Sequence, residues 1–262
     1  MNKKIAYTPE EMMICTAARL IPDKTTCFIG YGIPQIVIIL AQKLYAPNAC
    51  QVYEFGAIGP EIVIPFRRGM FADSRNNYRS VAWTYMNTMF AHACLGYIDY
   101  GFLGAAQIDP YGNINSTQIG LDHSRPKIRF PGSGGANDVA SFCWKTFIIM
   151  KHEKERFVKK LDFLTSPGYL DGPGAREKAG LPRGGGPYRV ITSMGLFGFD
   201  EKTKYMELLA LAPGYSKEDI FRNMEFEPLV AKRIEELKPP TEEEIRLLRE
   251  EIDPDRGIIG RV

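Results

Sequence analysis

No Cys-x-x-Cys pair occurs among the five cysteines, Cys15, Cys27, Cys50, Cys94 and Cys143. Their odd number and wide spacing support neither a zinc ribbon nor a redox dithiol. Scattered single cysteines fit small buried hydrophobes in a reducing compartment. Charge of one sign is also lacking: 33 basic residues face 31 acidic ones, a formal net charge of +2. With no basic stripe interleaved with aromatics, no nucleic-acid interface is expected. No apolar run approaches bilayer length, and Met1-Asn2-Lys3-Lys4 lacks the apolar core of a signal peptide. A cytoplasmic chain without membrane contact is the expectation. There is no Walker loop, no serine elbow and no histidine cluster spaced for a metal, so neither a metal nor a permanently bound cofactor is expected. Internal repeats and low-complexity tracts are absent as well.

What is present suits one enzyme-sized α/β domain over residues 1–262, with an ordinary 45% of hydrophobic residues to fill a core. The most informative stretch is Gln51-Val52-Tyr53-Glu54-Phe55-Gly56-Ala57-Ile58-Gly59. A short apolar run ends in one carboxylate, flanked by aromatics, and a glycine turn follows. In open α/β sheets ligand sites collect beyond the carboxyl ends of strands, often on turns leading into helices. Glu54 is therefore a candidate acid or nucleophile, although a solvated surface glutamate is the plainer reading of such a residue.

Around this stretch the chain reads as alternating elements. Thr8-Pro9-Glu10-Glu11 opens a helix to about Leu20 through a capping box. Thr25 to Ile29 reads as a strand and Pro34 to Tyr45 as a helix. Between them Gly30-Tyr31-Gly32 invites a dinucleotide reading, but Gln35 stands where the third glycine belongs, so a tight strand-to-helix turn is preferred. Ser80 to His92 is ambiguous, and His92 reads as a satisfied core histidine. Strands are expected at Tyr100 to Ala105, Thr146 to Met150, Leu161 to Thr165 and Tyr188 to Ser193. A hairpin should follow into Tyr205 to Leu211. Capped helices are expected after Ser216 and from Thr241 to Glu251. Lys151-His152-Glu153-Lys154 reads as a solvated face. Ser166 to Pro187, rich in glycine and proline, is long enough to cover a site or an interface.

Two loops carry further candidates. Gln107 and Asn115 flank Asp109-Pro110 and Gly112-Asn113, where their amides can orient a ligand or satisfy turn backbone. In Gly132-Ser133-Gly134-Gly135-Ala136-Asn137-Asp138, three glycines within four residues permit positive φ and close backbone approach. Asn137 or Asp138 can then cap a helix. Backbone amides over Gly134, Gly135, Ala136 and Asn137 can stabilise an oxyanion or bind an anionic group, and a plain turn is the alternative.

The segments 107–117, 132–137 and 165–174, with Glu250-Glu251-Ile252-Asp253-Pro254, resemble the β subunits of family I CoA-transferases, most closely the glutaconate type. The likeness runs over nearly the whole chain. It implies an open, mostly parallel α/β sheet with helices on both faces, and an α subunit as partner in a hetero-oligomer. It further implies acyl-CoA and carboxylic acid as substrates. The family's catalytic glutamate falls on Glu54, which would carry CoA as a glutamyl thioester. The glutaconate-type subunit has a serine and a glycine after that glutamate, where this chain has Phe55 and Gly56. That departure makes Phe55 a candidate substrate-orienting residue. Tyr188-Arg189-Val190-Ile191-Thr192-Ser193-Met194-Gly195 is similar to the β subunit of ring-opening CoA-dependent hydrolases of the same superfamily. Hydrolysis, decarboxylation or a non-catalytic subunit are thus the alternatives, and the presence of Glu54 favours transfer.

Overall fold

In the computed structural model, which describes residues 6–67, 69 and 71–260, the chain forms two units. One comprises Met1–Asp99 with Lys238–Val262, the other Tyr100–Leu237.

The first unit begins with α1 (Pro9–Arg19), started by the expected capping box: Thr8 accepts from the Glu11 amide, and Glu11 accepts from the Thr8 amide. Next come β1 (Thr26–Phe28), α2 (Ile33–Leu44), β2 (Cys50–Val52), β3 (Ala57–Ile58), β4 (Ala82–Trp83) and α3 (Met86–Cys94). β2 lies parallel to β1, and β3 and β4 follow as antiparallel neighbours. Gly32, at φ +91°, caps α2, and its amide donates to the buried Gln35 side chain at 3.0 Å. The Gly-x-Gly is therefore the tight turn expected, with Gln35 as its back-brace.

A C-terminal helix, Glu242–Arg246, returns to this unit and runs on as a π-helical turn, Leu247–Ile252. Its own capping box pairs Thr241 with Glu244. The two boxes are cross-linked. Arg249 donates from two nitrogens to Glu11 (2.7 and 2.8 Å), and Arg19 donates from two nitrogens to Glu244. Both glutamates are fully buried. Burial alone works to raise the Glu11 carboxyl, and the hydrogen bonds from Arg249 and Thr8 together with the charges of Arg249 and Arg256 outweigh it, holding the group below its ordinary value.

The second unit contains β5 (Tyr100–Leu103), β6 (Gln107–Ile108), β7 (Ile114–Asn115), β8 (Gln118–Ile119), β9 (Ile128–Arg129), α4 (Ala136–Phe142) and β10 (Lys145–Met150). It continues through α5 (Ala175–Lys178), β11 (Gly186–Thr192), β12 (Gly195–Phe199), β13 (Met206–Leu211), α6 (Lys217–Arg222) and β14 (Leu229–Glu236). Its main strands run in the order β5-β10-β11-β12-β13-β14. β5, β10 and β11 are parallel, the β11–β12–β13 meander is antiparallel, and β14 returns parallel to β13. The α/β class and open sheet expected from the sequence are what the chain has. No helix among the described residues is long and apolar enough to cross a membrane.

Four local expectations are corrected. Leu161–Thr165 is not a strand, because its polar groups bond sideways to Gln107, Ser116 and Ile114 rather than along a ladder. Conversely, β14 escaped the sequence reading: as an edge strand exposed along most of its length, it shows no apolar alternation. His92 is half-exposed on α3, a helix that buries only Met89 and Ala93. His152 is buried instead of solvated, at 4% exposure. Its ring stacks on Phe157 (4.5 Å) and Phe197 (5.8 Å), while Lys151, Glu153 and Lys154 around it point to solvent.

Burial lowers the His152 pKa from 6.5 to about 4. Between those values the folded chain binds fewer protons than the unfolded one. Stability is therefore full above the unfolded pKa and is lost as pH falls through the window. The loss attributable to this residue should reach about 3 kcal/mol at pH 4. Urea denaturation of the wild type and His152→Phe at pH 7 and pH 4 measures it as the difference between their slopes.

Candidate active site

Just past β2, residues Tyr53 to Gly56 form a tight turn closed by the Gly56 amide donating to the Tyr53 carbonyl at 2.9 Å. The chain then returns as β3, with the Tyr53 amide on the Ala57 carbonyl (3.0 Å) and the Gly59 amide on the Gln51 carbonyl (2.8 Å). The glycine turn is thus a β-hairpin rather than a strand-to-helix connection. Glu54 and Phe55 occupy its two central positions, both half-buried. Gln51 braces the base by donating its side-chain amide to the Pro60 carbonyl.

Gly56 makes this geometry possible. It sits at φ +113°, and a Cβ built there would lie 1.8 Å from the Thr84 carbonyl oxygen. The Thr84 amide in turn donates to the Gly56 carbonyl at 2.9 Å. The backbone after β4 therefore presses directly against the hairpin, and no side chain fits between them.

Aromatic rings line the same turn. Phe55 stacks on Tyr53 (5.3 Å), meets Phe71 edge-on (5.3 Å) and lies 6.1 Å from Trp83. Phe71 also contacts Tyr53 (5.5 Å) and Tyr31 (6.2 Å). Tyr53 is fully buried, and burial pushes its phenol up. Neither Phe71 nor Trp83 stands out in the sequence; only proximity in space brings them to Phe55, the chain neighbour of Glu54.

The other predicted residues lie in the second unit and form a connected network. Gln107 and Asn115 are paired across β6 and β7, and the Asn115 amide donates to the Gln107 side-chain oxygen at 2.7 Å. Asn115 also donates to the Gln118 carbonyl (2.6 Å), while Gln107 accepts from the Asp162 amide (3.1 Å). These two side chains are buried and serve each other and the turn backbone. Thr165 ties the network to the glycine loop: its hydroxyl accepts from the Ser116 amide (2.9 Å), and its carbonyl accepts from Asn137 (3.0 Å). Nothing in the sequence around Thr165 signals that role.

Within the loop, Gly132 and Gly134 adopt the expected positive φ, +95° and +47°. The helix cap falls on Gly135 rather than on Asn137 or Asp138. The reason is that the Ala136 amide closes onto the Ser133 carbonyl at 2.8 Å, starting the helix two residues before Asn137 could cap it. Ala136 is thereby used, whereas the amides of Gly134 and Gly135 have no acceptor among the described residues. Arg176 anchors the long segment that follows. Buried at 2% exposure, it donates to the carbonyls of Pro167, Gly168, Ala140 and Ser141. The last two belong to the final turn of α4, where a cation complements the helix dipole. Among the described residues, no three His, Cys, Asp or Glu side chains gather as a metal site requires.

Within the first unit a hairpin holds one carboxylate at a strand end, and within the second a glycine loop carries two amides with no acceptor among the described residues. The family model described as Coenzyme A transferase matches residues 10–223. This chain belongs to the coenzyme A transferase family. It is 42% identical to the B subunit of glutaconate CoA-transferase from Acidaminococcus fermentans, over 97% of this chain and 95% of that one. To the B subunit of 3-oxoadipate CoA-transferase from Pseudomonas knackmussii it is 35% identical, over 93% of each. The crystal structure of the Acidaminococcus fermentans glutaconate CoA-transferase superposes with a TM-score of 0.92 at 39% identity, covering 99% of this chain and 100% of that one.

Gly56→Ala tests the hairpin that carries Glu54. A methyl group there meets the Thr84 carbonyl and a φ that L residues avoid, so the expected loss is about 2–4 kcal/mol. A shift in the urea midpoint measures it. An unchanged midpoint would mean that the hairpin and the Thr84 backbone do not approach this closely.

Proposed function

We propose that this chain is the catalytic B subunit of a heteromeric CoA-transferase, acting over residues 1–262 as one polypeptide with Glu54 as its nucleophile. The observation that carries the reading is the placement of Glu54: half-buried, at the tip of a hairpin fixed by the Gly56–Thr84 backbone contact. Among the described residues no donor holds its carboxylate. Preorganisation of this kind is what a nucleophile needs, since its geometry must be set before the substrate arrives.

The chemistry follows from keeping the thioester energy in covalent form. A Glu54 oxygen attacks the acyl-CoA carbonyl, the C–S bond breaks, and CoA leaves as thiolate with a mixed anhydride on Glu54. The thiolate then attacks the Glu54 carbonyl, releasing the donor acid and forming the glutamyl-CoA thioester. An acceptor carboxylate reverses these steps, so no oxidant, reductant or resident cofactor enters the balance. Each addition places negative charge on oxygen, which backbone N–H donors stabilise. In the second unit the amides of Gly134 and Gly135 are proposed to bind an anionic group of the acyl-CoA. Gln107 and Asn115 hold the scaffold behind that loop through Thr165. Coenzyme A itself enters only as acyl-CoA substrate.

The A subunit completes the assembly. Both relatives named above are B subunits, and this chain exposes an apolar run beside the hairpin: Val81 (83%), Trp83 (57%) and Tyr85 (78%). Contiguous exposed apolar surface marks a protein-facing region. A partner there would also exclude water, which an anhydride requires.

Incubating the assembled enzyme with acyl-CoA and no acceptor should leave CoA on Glu54. Hydroxylamine should then convert that activated carboxyl to a hydroxamate, mapped to Glu54, and abolish activity only after acyl-CoA has been supplied. Glu54→Gln should show neither the adduct nor turnover, and ping-pong kinetics should accompany transfer. Release of free CoA without any acceptor acid, with no adduct, would instead establish the hydrolase. The loop is tested by Gly135→Pro. At φ −82° proline fits the backbone but lacks the N–H. A rise in KM for acyl-CoA of about tenfold with an unchanged urea midpoint is expected for one lost donor to an anionic group.

A further inference from the structure

We infer that Thr165 is the positioning residue of the glycine loop, holding it by both ends, and that Arg176 locks the strap on which Thr165 sits. The inference rests on the loop binding an anionic group of the acyl-CoA, and adds what gives that site its shape. Gly132 and Gly134 stand at positive φ. Apart from their chain neighbours, no atom of the described residues lies within 4 Å of where either would carry a Cβ. Backbone this free and this little packed loses much entropy on being ordered. Its geometry must therefore be imposed from its ends.

Both ends lead to Thr165. At the start of the loop the Gly132 amide donates to the Ser116 carbonyl (3.2 Å), and the Ser116 amide donates to the Thr165 hydroxyl (2.9 Å). At its close the Asn137 side chain, in the first turn of α4, donates to the Thr165 carbonyl (3.0 Å). The Thr165 hydroxyl is itself held 2.7 Å from that of Thr117, and the residue is buried. Thr165 thus reaches the loop through Ser116 and Asn137. The far end of α4 is fixed to the same strap. Arg176 joins the Ala140 and Ser141 carbonyls (both 3.1 Å) to those of Pro167 and Gly168 (3.2 and 2.8 Å). A helix of 7 residues, pinned at both ends to residues 165–168, has little room to tilt. The Gly135 amide at its cap keeps one direction.

The test uses this chain assembled with its A subunit, with propionate as acceptor and the fastest donor among acetyl-CoA, butyryl-CoA and glutaryl-CoA. Thr165→Val should raise KM for the donor by about tenfold, the worth of one hydrogen bond to an anion. The kcat should stay within about twofold, the mark of lost binding rather than lost chemistry. Thr165→Ser, which keeps the hydroxyl, should bring KM back to within about twofold of the wild type. Asn137→Ala cuts one tether at an exposed position, and Arg176→Lys replaces the fork by a single nitrogen. Each should raise KM in the same way. Added to Gly135→Pro, Thr165→Val should raise KM by less than about threefold more, because changes acting through one amide are not additive. A parental KM in Thr165→Val and Asn137→Ala, or a full further tenfold on the Gly135→Pro background, overturns the inference. A fall in kcat at unchanged KM overturns it too. Should the buried variants fail to assemble, Asn137→Ala decides alone. A parental KM in Gly135→Pro would overturn the anion-binding reading of the loop, and this inference with it. No transfer from any of the three donors would overturn the transferase reading itself.

Discussion

The Thr84 carbonyl occupies the space where any residue other than glycine would place its Cβ at position 56. This one backbone contact sets the hairpin that bears Glu54, because it fixes how closely the chain after β4 packs on the turn. From it follow the registry of β3 between β2 and β4 and the direction in which the two central side chains of the turn project. The aromatic rings of Phe55, Phe71 and Trp83 then pack around a backbone already determined. A carboxylate on a mobile loop would lack this fixed placement, and placement before the reactants meet is one source of rate.

A second constraint is electrostatic and lies away from the hairpin. Two helix N-termini, those of α1 and the C-terminal helix, each recruit a glutamate to satisfy their first amides. Each glutamate is fully buried, which by itself is costly, and each is matched by an arginine from the other helical segment. Arg19 also donates to the carbonyls of Lys238 and Pro239, so the chain is held just before the C-terminal helix starts. Removing either arginine would leave a buried carboxylate with weaker partners only, Arg256 and the Thr8 amide for Glu11 or Tyr45 and the Thr241 amide for Glu244, a greater loss than the surface ion pairs of Arg246 represent.

What could be read from the sequence was what local chemistry decides. Capping boxes at Thr8, Ser216 and Thr241, the Gly32 turn and the β-branched strands depend on residues a few positions apart, and all are present. Glu54 stood out because a lone acid ended an apolar run. The failures share one cause, dependence on partners distant in sequence. His152 is bracketed by charges yet buried by Phe157 and Phe197. Arg176, in a stretch of glycine and proline, finds its four carbonyls on two segments far apart in the chain. β14 is solvated on both faces, so no periodicity records its pairing with β13. The aromatic wall beside Glu54 is assembled from positions 31, 53, 55, 71 and 83, a set no spacing rule would group.

The first unit is written in two pieces, with the whole second unit inserted between them. Order of synthesis therefore matters. Residues 100–237 are contiguous and can close as soon as they leave the ribosome, since domains fold as units. The N-terminal unit has no such freedom: Glu11 waits for Arg249, and Arg19 waits for Glu244. Until those residues emerge, the Glu11 carboxylate, which ends fully buried, and the half-buried Arg19 lack these ion-pair partners. The hairpin that carries Glu54 thus belongs to the part of the nascent chain that matures last.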